Sequence, residues 1–191
     1  MKLKTDGYLH LILGPMFAGK TSRVIEIINR FECILVPVLV INNILDNRYA
    51  DSNFICSHNK LKKSCVSAKN LLELKENKEY KTSKVILIEE GHFFNDLYEF
   101  VIHAVDVDKK HVIVCGLDGD YQKKPFESIS KLIPHAEKKE FLYAYCTLCK
   151  NGTEAHFTQR LTDTSDDQIL VGGMKDYMPV CRKHYNFNIK K

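Results

Sequence analysis

Runs that are apolar at nearly every position punctuate the first two thirds of the chain: YLHLIL (Tyr8–Leu13), VLVI (38–41), VILIE (85–89) and HVIVCG (His111–Gly116). Such runs suit strands covered on both faces of a parallel sheet. Pro37 just ahead of the second removes a ladder donor and leaves the start of that strand open. Between these runs the period changes. Val24, Ile27, Ile28 and Phe31 recur at i, i+3, i+4 and i+7, one face of a helix. Over 95–108, Leu97, Val101, Ala104 and Val105 share a helical stripe, with Asn95 as the expected N-cap. Residues 68–80 form a weaker helical stretch, polar and rich in Lys and Glu. This βαβ alternation implies a parallel sheet with helices on its faces. After about residue 142 the helical period fades and cysteine pairs appear.

The first strand runs into GPMFAGKT (14–21), which fits G-x-x-x-x-G-K-S/T. A glycine turn between a strand and a helix N-terminus points backbone N–H groups at an anion. Gly14, Pro15, Met16, Phe17, Ala18 and Gly19 would then cradle the phosphates of ATP. Lys20 would reach the β/γ-phosphates and the Thr21 hydroxyl would ligate Mg²⁺. A chance glycine turn would lack the flanking strand and amphipathic helix. The loop indicates a nucleoside triphosphate without separating kinase from ATPase or GTPase.

A strand that ends in acid is where P-loop proteins carry their magnesium-side carboxylate. Glu89 and Glu90 end the third run. On a strand they would face opposite ways, but a turn at the strand's end lets both reach one site. One would hold Mg²⁺ and the other accept a proton from a nucleophile. LDGDYQKKPF (117–126) follows the fourth run directly. Ligands of open α/β sheets bind at the carboxyl ends of strands, so 14–21, 89–94 and 117–126 should converge on one crevice. Phe93, Phe94, Tyr121 and Phe126 would make it aromatic, as a flat base requires, with Phe94 the ring expected in the core.

The net charge, 28 − 24 = +4, suits phosphorylated ligands and is too small to indicate nucleic acid. No apolar run approaches a membrane span and no signal peptide precedes the first strand, so a cytoplasmic location is expected. The chain has seven cysteines, which in that compartment favour thiols or metal over disulfides. Cys146 and Cys149 form C-x-x-C, and Cys181 and His184 form C-x-x-H. Together they supply four ligands for a closed, structural Zn²⁺ site; a redox C-x-x-C would sit at a βαβ start, and this one does not. Cys33 and Cys115 are expected in the core, and Cys56 and Cys65 as ordinary small residues. The segment between the pairs holds HFTQRL, Val171-Gly172-Gly173 and Tyr177, a strand–turn–strand pattern. Tied down only at its base, it could close over the crevice as a lid.

LILGPMFAGKT, DNRY (46–49), IEEGHFF, LDGDYQKKPF, C-x-x-C, FTQRL, VGGMKDY and C-x-x-H, in this order over nearly the whole chain, resemble the type II thymidine kinases of cells, bacteria and large DNA viruses. The resemblance implies an α/β fold: a RecA-like P-loop sheet flanked by helices, over 1–142, plus a small zinc-stapled lasso domain over 143–191. It implies an ATP-dependent thymidine kinase, with Mg²⁺, structural Zn²⁺, and ATP and thymidine as partners. It further implies a homodimer or homotetramer, with dTTP a candidate feedback inhibitor and neither membrane nor nucleic acid a partner. By position, Lys20 and Thr21 match the phosphate and Mg²⁺ residues, Glu90 the general base on the thymidine 5′-hydroxyl, and Arg48 an arginine at the transferring phosphate. Met16, Phe93, Leu117, Tyr121, Phe126, Thr158 and Tyr177 match positions around thymine and deoxyribose, and Leu170, Val171 and Gly172 the lasso that reads the base through its backbone.

The chain departs from the family pattern at Glu89, where Asp is usual, at His92, where Gln is usual, and at His184, often Cys. The spacing from C-x-x-C to FTQRL is also longer, which loosens the match at Thr158. Two other classes fit parts of the pattern. A P-loop ATPase with a nucleic-acid-binding zinc knuckle would need a basic face, and the basic residues are scattered. A catalytically weak nucleotide-binding regulator would follow if Glu89 spoiled the Mg²⁺ site.

Overall fold

The structure, a computed structural model, describes residues 6–46, 54–56, 61–162 and 167–188. In chain order the elements begin with strand β1 (Tyr8–Leu13), helix α1 (Lys20–Glu32) and strand β2 (Val38–Asn43), followed by the short strands β3 (Phe54–Cys56), β4 (Lys62–Ser64) and β5 (Val66–Ala68). Helix α2 (Lys78–Thr82), strand β6 (Val85–Ile88), helix α3 (Leu97–Ile102), strand β7 (His111–Gly116), helix α4 (Glu127–Ser130) and strand β8 (Lys138–Phe141) follow. Strands β9 (Ala144–Tyr145), β10 (Glu154–Ala155), β11 (Phe157–Arg160) and β12 (Tyr177–Val180) and helix α5 (Arg182–Asn188) close the chain.

Six strands form one parallel sheet in the order β5-β2-β6-β7-β1-β8. Its inner strands are buried along their length, which is why they read as unbroken apolar runs. Alternation shows only in which layer each side chain joins. Ile12, Val85, Leu87 and Ile113 pack on one side with Val24, Ile27, Ile28 and Phe31 of α1. Leu11, Leu13, Ile86, Ile88, Val112 and Val114 pack on the other with Phe100, Val101 and Ala104. The result is three layers, helix–sheet–helix. All inner strands point the same way, so β1, β6 and β7 end together, and the loops after them face one crevice.

Four local expectations are corrected. Residues 68–80 are not one helix: Ala68 ends β5 against Asn43 of β2, a 3₁₀ turn spans Leu72–Glu76, and Asn77 is extended (φ −71°, ψ 148°) ahead of α2. Leu71, Leu74 and Tyr80 are buried, a spacing that no single helix face would give. Asn95 does not cap α3. Asp96 precedes it, and its carboxylate accepts a hydrogen bond from the Leu72 N–H (2.9 Å). α3 then widens into a π-helical turn, His103–Val107. Cys33 is exposed, because it lies just past the last buried turn of α1, while Cys115 is buried in the sheet as expected. Phe94 is a core ring, 1% exposed.

After β8 the chain leaves the sheet. β9 pairs with β10, and β11 with β12, both antiparallel. A small core of Ala144, Cys146, Ala155, Val180, Cys181 and Tyr185 fills this region, and Phe17 and Ala18 of the glycine loop pack against it. Among the described residues no helix is long and apolar enough to cross a membrane.

Candidate active site

Gly14 closes β1 at φ 146°, and a Cβ there would meet the Leu142 carbonyl oxygen at 2.3 Å. Only glycine lets the chain turn this close to the strand beside it. Gly19, at φ 81°, stands immediately before α1. The loop between them ends with Lys20 buried, its Nζ donating to the carbonyls of Gly14 (3.1 Å) and Pro15 (2.8 Å). These bonds hold the ammonium across the mouth of the loop, where an anion would sit.

β6 stops at Ile88, and the acid pair divides at that point. Glu89, 2% exposed, accepts a hydrogen bond from the Thr21 hydroxyl at 2.5 Å through Oε1. Its Oε2 has no hydrogen-bond partner. Burial first, and the Glu90 charge second, push the Glu89 carboxyl up to about 7, against the Thr21 hydroxyl, the Cys115 thiol and Lys20. A buried carboxylate oxygen without a partner, beside a threonine hydroxyl, fits a hard-cation site that keeps few protein ligands. The extra methylene of Glu89 relative to Asp does not prevent the reach to Thr21.

Glu90 takes the left-handed conformation (φ 48°, ψ 46°), uncommon for a residue with a side chain. That turn, which the sequence left open, sends Glu90 into the cleft while Glu89 stays under the glycine loop. His92 is buried behind it, with Nδ1 3.6 Å from Glu90 Oε2 and accepting from the Leu117 N–H (3.3 Å). Its ring packs on Phe93 (4.3 Å between centroids) and Phe126 (4.8 Å). A His at this position therefore fills the floor between two aromatic rings.

One cleft joins these parts. Met16 to Thr21, Glu90, Phe93, Leu117, Tyr121, Phe126, Thr158 and Tyr177 all line it. Leu170, Val171 and Gly172 border it too. Every position read from the sequence as facing the nucleoside thus borders the same cleft. Thr158 is buried and its Oγ1 accepts from the Met16 N–H (3.0 Å), which ties β11 to the glycine loop despite the altered spacing ahead of it. Arg48 lies outside the described residues. Sequence reasoning assigned no site role to Ser22, His92, Gly119, Asp120, Gln168 or Ile169, which border the cleft, nor to Arg160, which stacks on Tyr121 at 3.8 Å. Arg160 stood inside FTQRL, but nothing in the motif told which way it points.

Cys146, Cys149, Cys181 and His184 bring their ligand atoms within 4.8 Å of one another. His184 Nδ1 lies 3.4, 3.4 and 3.5 Å from the sulfurs of Cys146, Cys149 and Cys181, and Cys149 Sγ is 3.8 Å from Cys181 Sγ. A tetrahedral zinc with ordinary bond lengths has edges of about 3.8 Å between sulfurs and about 3.6 Å from sulfur to nitrogen. The set therefore fits Zn²⁺. Burial opposes ionisation of Cys146, yet the backbone groups of Cys181, Cys149 and Leu148 and the His184 ring bring its thiol down to about 6. A thiolate held by amides is what a zinc ligand requires.

A parallel sheet flanked by helices, with the loops after β1, β6 and β7 around one cleft, defines an α/β protein with a small-molecule site at the carboxyl ends of its strands. Family comparison narrows this class: the thymidine kinase model matches residues 7–185. The chain is 38% identical over 182 residues to the thymidine kinase of Rabbit fibroma virus (strain Kasza), covering 95% of this chain and 97% of that protein. It is 37% identical to thymidine kinase a of Arabidopsis thaliana (98% and 79% covered) and 38% identical to thymidine kinase 1 of Dictyostelium discoideum (94% and 78%). The chain belongs to the thymidine kinase family.

Proposed function

We propose that this chain transfers the γ-phosphoryl of ATP to the 5′-hydroxyl of thymidine, with Glu90 as general base. One observation carries the reading: Glu90 leaves its strand through a strained turn and borders the same cleft as the glycine loop and the rings of Phe93, Tyr121 and Phe126. An acid there meets both a phosphate held by the loop and a hydroxyl on a ligand held by the rings.

Phosphoryl transfer proceeds in line through a loose transition state, so catalysis is positioning and charge neutralisation. The backbone N–H groups of the loop after Met16 and the Lys20 ammonium bind the phosphates and take up charge as the bond to the γ-phosphorus breaks. The 5′-oxygen forms the new bond, its proton passes to Glu90, and ADP leaves. A general base is worth about 10²–10⁴-fold. Thr21 and Glu89 would hold Mg²⁺, which would supply neutralisation of phosphate charge. Arg48 is assigned to the transferring phosphate on the strength of DNRY alone. Phe93, Leu117, Tyr121, Phe126, Thr158 and Tyr177 enclose the nucleoside, while backbone groups of Leu170 to Gly172 read its base. Closure by that segment excludes water and limits ATP hydrolysis.

The same reading divides the chain into a nucleotide-binding unit, 1–142, and a zinc-binding lasso unit, 143–191. The departure of the chain from the main sheet after β8 supports this division. It takes Zn²⁺ as resident at Cys146, Cys149, Cys181 and His184, supported by their spacing. We also carry over from the family a homodimer or homotetramer, feedback by dTTP at the substrate site, and a cytoplasmic location. The reading of a weak regulator required Glu89 to fail at the cation site, and its contact with Thr21 at 2.5 Å argues against that. The test is product analysis with ATP, Mg²⁺ and labelled thymidine. Thymidine 5′-monophosphate should form one-for-one with ADP; ADP formed equally without thymidine would refute the assignment.

A further inference from the structure

Leu170, Val171 and Gly172 border the cleft, yet the described part of the segment that carries them, 167–173, belongs to neither helix nor strand. Gln168 Nε2 donates to the Pro125 carbonyl (3.4 Å) and the Gly173 N–H to Asp176 Oδ2 (3.0 Å), and the segment's carbonyls are gripped as well. Arg160 Nη2 donates to the carbonyls of Asp167 (2.9 Å) and Gln168 (3.5 Å). Arg160 Nε donates to the Tyr177 hydroxyl (3.2 Å), which donates in turn to the Leu170 carbonyl (2.7 Å). The same guanidinium lies 3.8 Å over the Tyr121 ring. One side chain therefore joins this segment, directly and through Tyr177, to an aromatic wall of the cleft. Its own base is fixed, because Arg160 pairs with Tyr177 at the end of the β11–β12 ladder. The Tyr121 wall is anchored too, its carbonyl accepting from the Tyr185 hydroxyl (2.7 Å).

We propose that Arg160 is a positioning residue that latches the 167–172 segment over the nucleoside end of the cleft and thereby sets thymidine affinity. This rests on the reading of the cleft given above. Arginine suits the task because its planar fork donates in two directions while its face stacks on a ring. Lysine keeps the charge but offers neither the fork nor the flat face. The latch acts through the segment, away from the glycine loop, so it should govern the nucleoside and leave ATP alone.

The test compares wild type, Arg160→Lys and Tyr177→Phe in steady-state kinetics, with thymidine and ATP varied separately. For Arg160→Lys the thymidine KM should rise about 10- to 100-fold, the loss of charge-assisted bonds. The ATP KM and the unfolding midpoint should stay near wild type. Without thymidine, chymotrypsin should cut within 161–172 faster than in wild type. Tyr177→Phe, which removes a single oxygen, should raise the thymidine KM in the same direction by less. An unchanged thymidine KM in both variants overturns the latch while leaving the kinase reading intact. A parallel fall in ATP affinity and stability also overturns it, because the residue would then be merely structural. Wild type that fails to phosphorylate thymidine overturns the reading of the cleft, and the latch with it.

Discussion

Glu89 and Glu90 are chain neighbours with different surroundings, and the left-handed turn at Glu90 separates them. Glu89 sits under the glycine loop with one oxygen bonded to Thr21 and the other without a partner. Holding an ionised carboxylate there opposes folding, since burial raises its pKa. A cation would favour the charged form. Replacing this group with a neutral isostere separates the two effects. Glu89→Gln should raise the Mg²⁺ concentration for half-maximal turnover by about tenfold or more, while leaving the thermal midpoint equal to or above wild type. A variant that loses stability and keeps its Mg²⁺ requirement would show that Glu89 is a structural acid.

At the scale of elements, legibility followed burial. The inner strands were read closely from the sequence because both their faces are covered and the runs end at loops. α1 was read because one face meets the sheet and the other meets water. β8 was missed: KKEF is an edge strand of half-exposed residues, with no apolar run to mark it. β9 and β10 have two residues each, too few to show any period. The cluster of Cys146, Cys149, Cys181 and His184 was legible because each pair is local in sequence, whereas the contacts of Arg160 depend on where β11 and 167–173 meet. The knuckle also reaches further than its spacing suggested, because its small core packs on Phe17 and Ala18 of the glycine loop. Chelation of bound zinc should therefore weaken ATP binding as well as thymidine binding. Calorimetric titration of each ligand before and after treatment with a chelator measures this, and ATP affinity that survives metal loss would contradict the coupling.

Across the whole molecule, the sheet carries titratable groups away from the cleft. His10 and His111 are both buried, on adjacent strands β1 and β7. Burial, then Lys138, lower the His10 pKa to about 4, although Glu140 Oε1 lies 3.1 Å from its Nε2. Burial, then His10, do the same for His111. An unfolded histidine titrates near about 6.5, so between that pH and about 4 the unfolded chain binds more protons than the folded one. The contribution of this pair is therefore full above about pH 6.5 and is lost as pH falls through about 4. Glu140, brought down to about 2 chiefly by its hydrogen bond from Arg23, adds a second loss that begins lower, as pH falls below its ordinary 4.5. Glu89, raised to about 7, opposes this with one proton over the same range, so urea unfolding midpoints should decline between about pH 7 and pH 5 most clearly in Glu89→Gln, where that opposition is gone. A flat profile in that variant would mean that the rings are charged in the folded state.

The central claim is that the phosphate held by the glycine loop passes to a nucleoside hydroxyl under the control of Glu90. The most direct measurement is ADP release by Glu90→Gln and wild type, each with and without thymidine, beside thymidine binding by calorimetry. Wild-type turnover should require thymidine. In the variant it should fall about 10²–10⁴-fold, with thymidine affinity close to wild type. Thymidine-dependent turnover that is unchanged in Glu90→Gln would contradict the account.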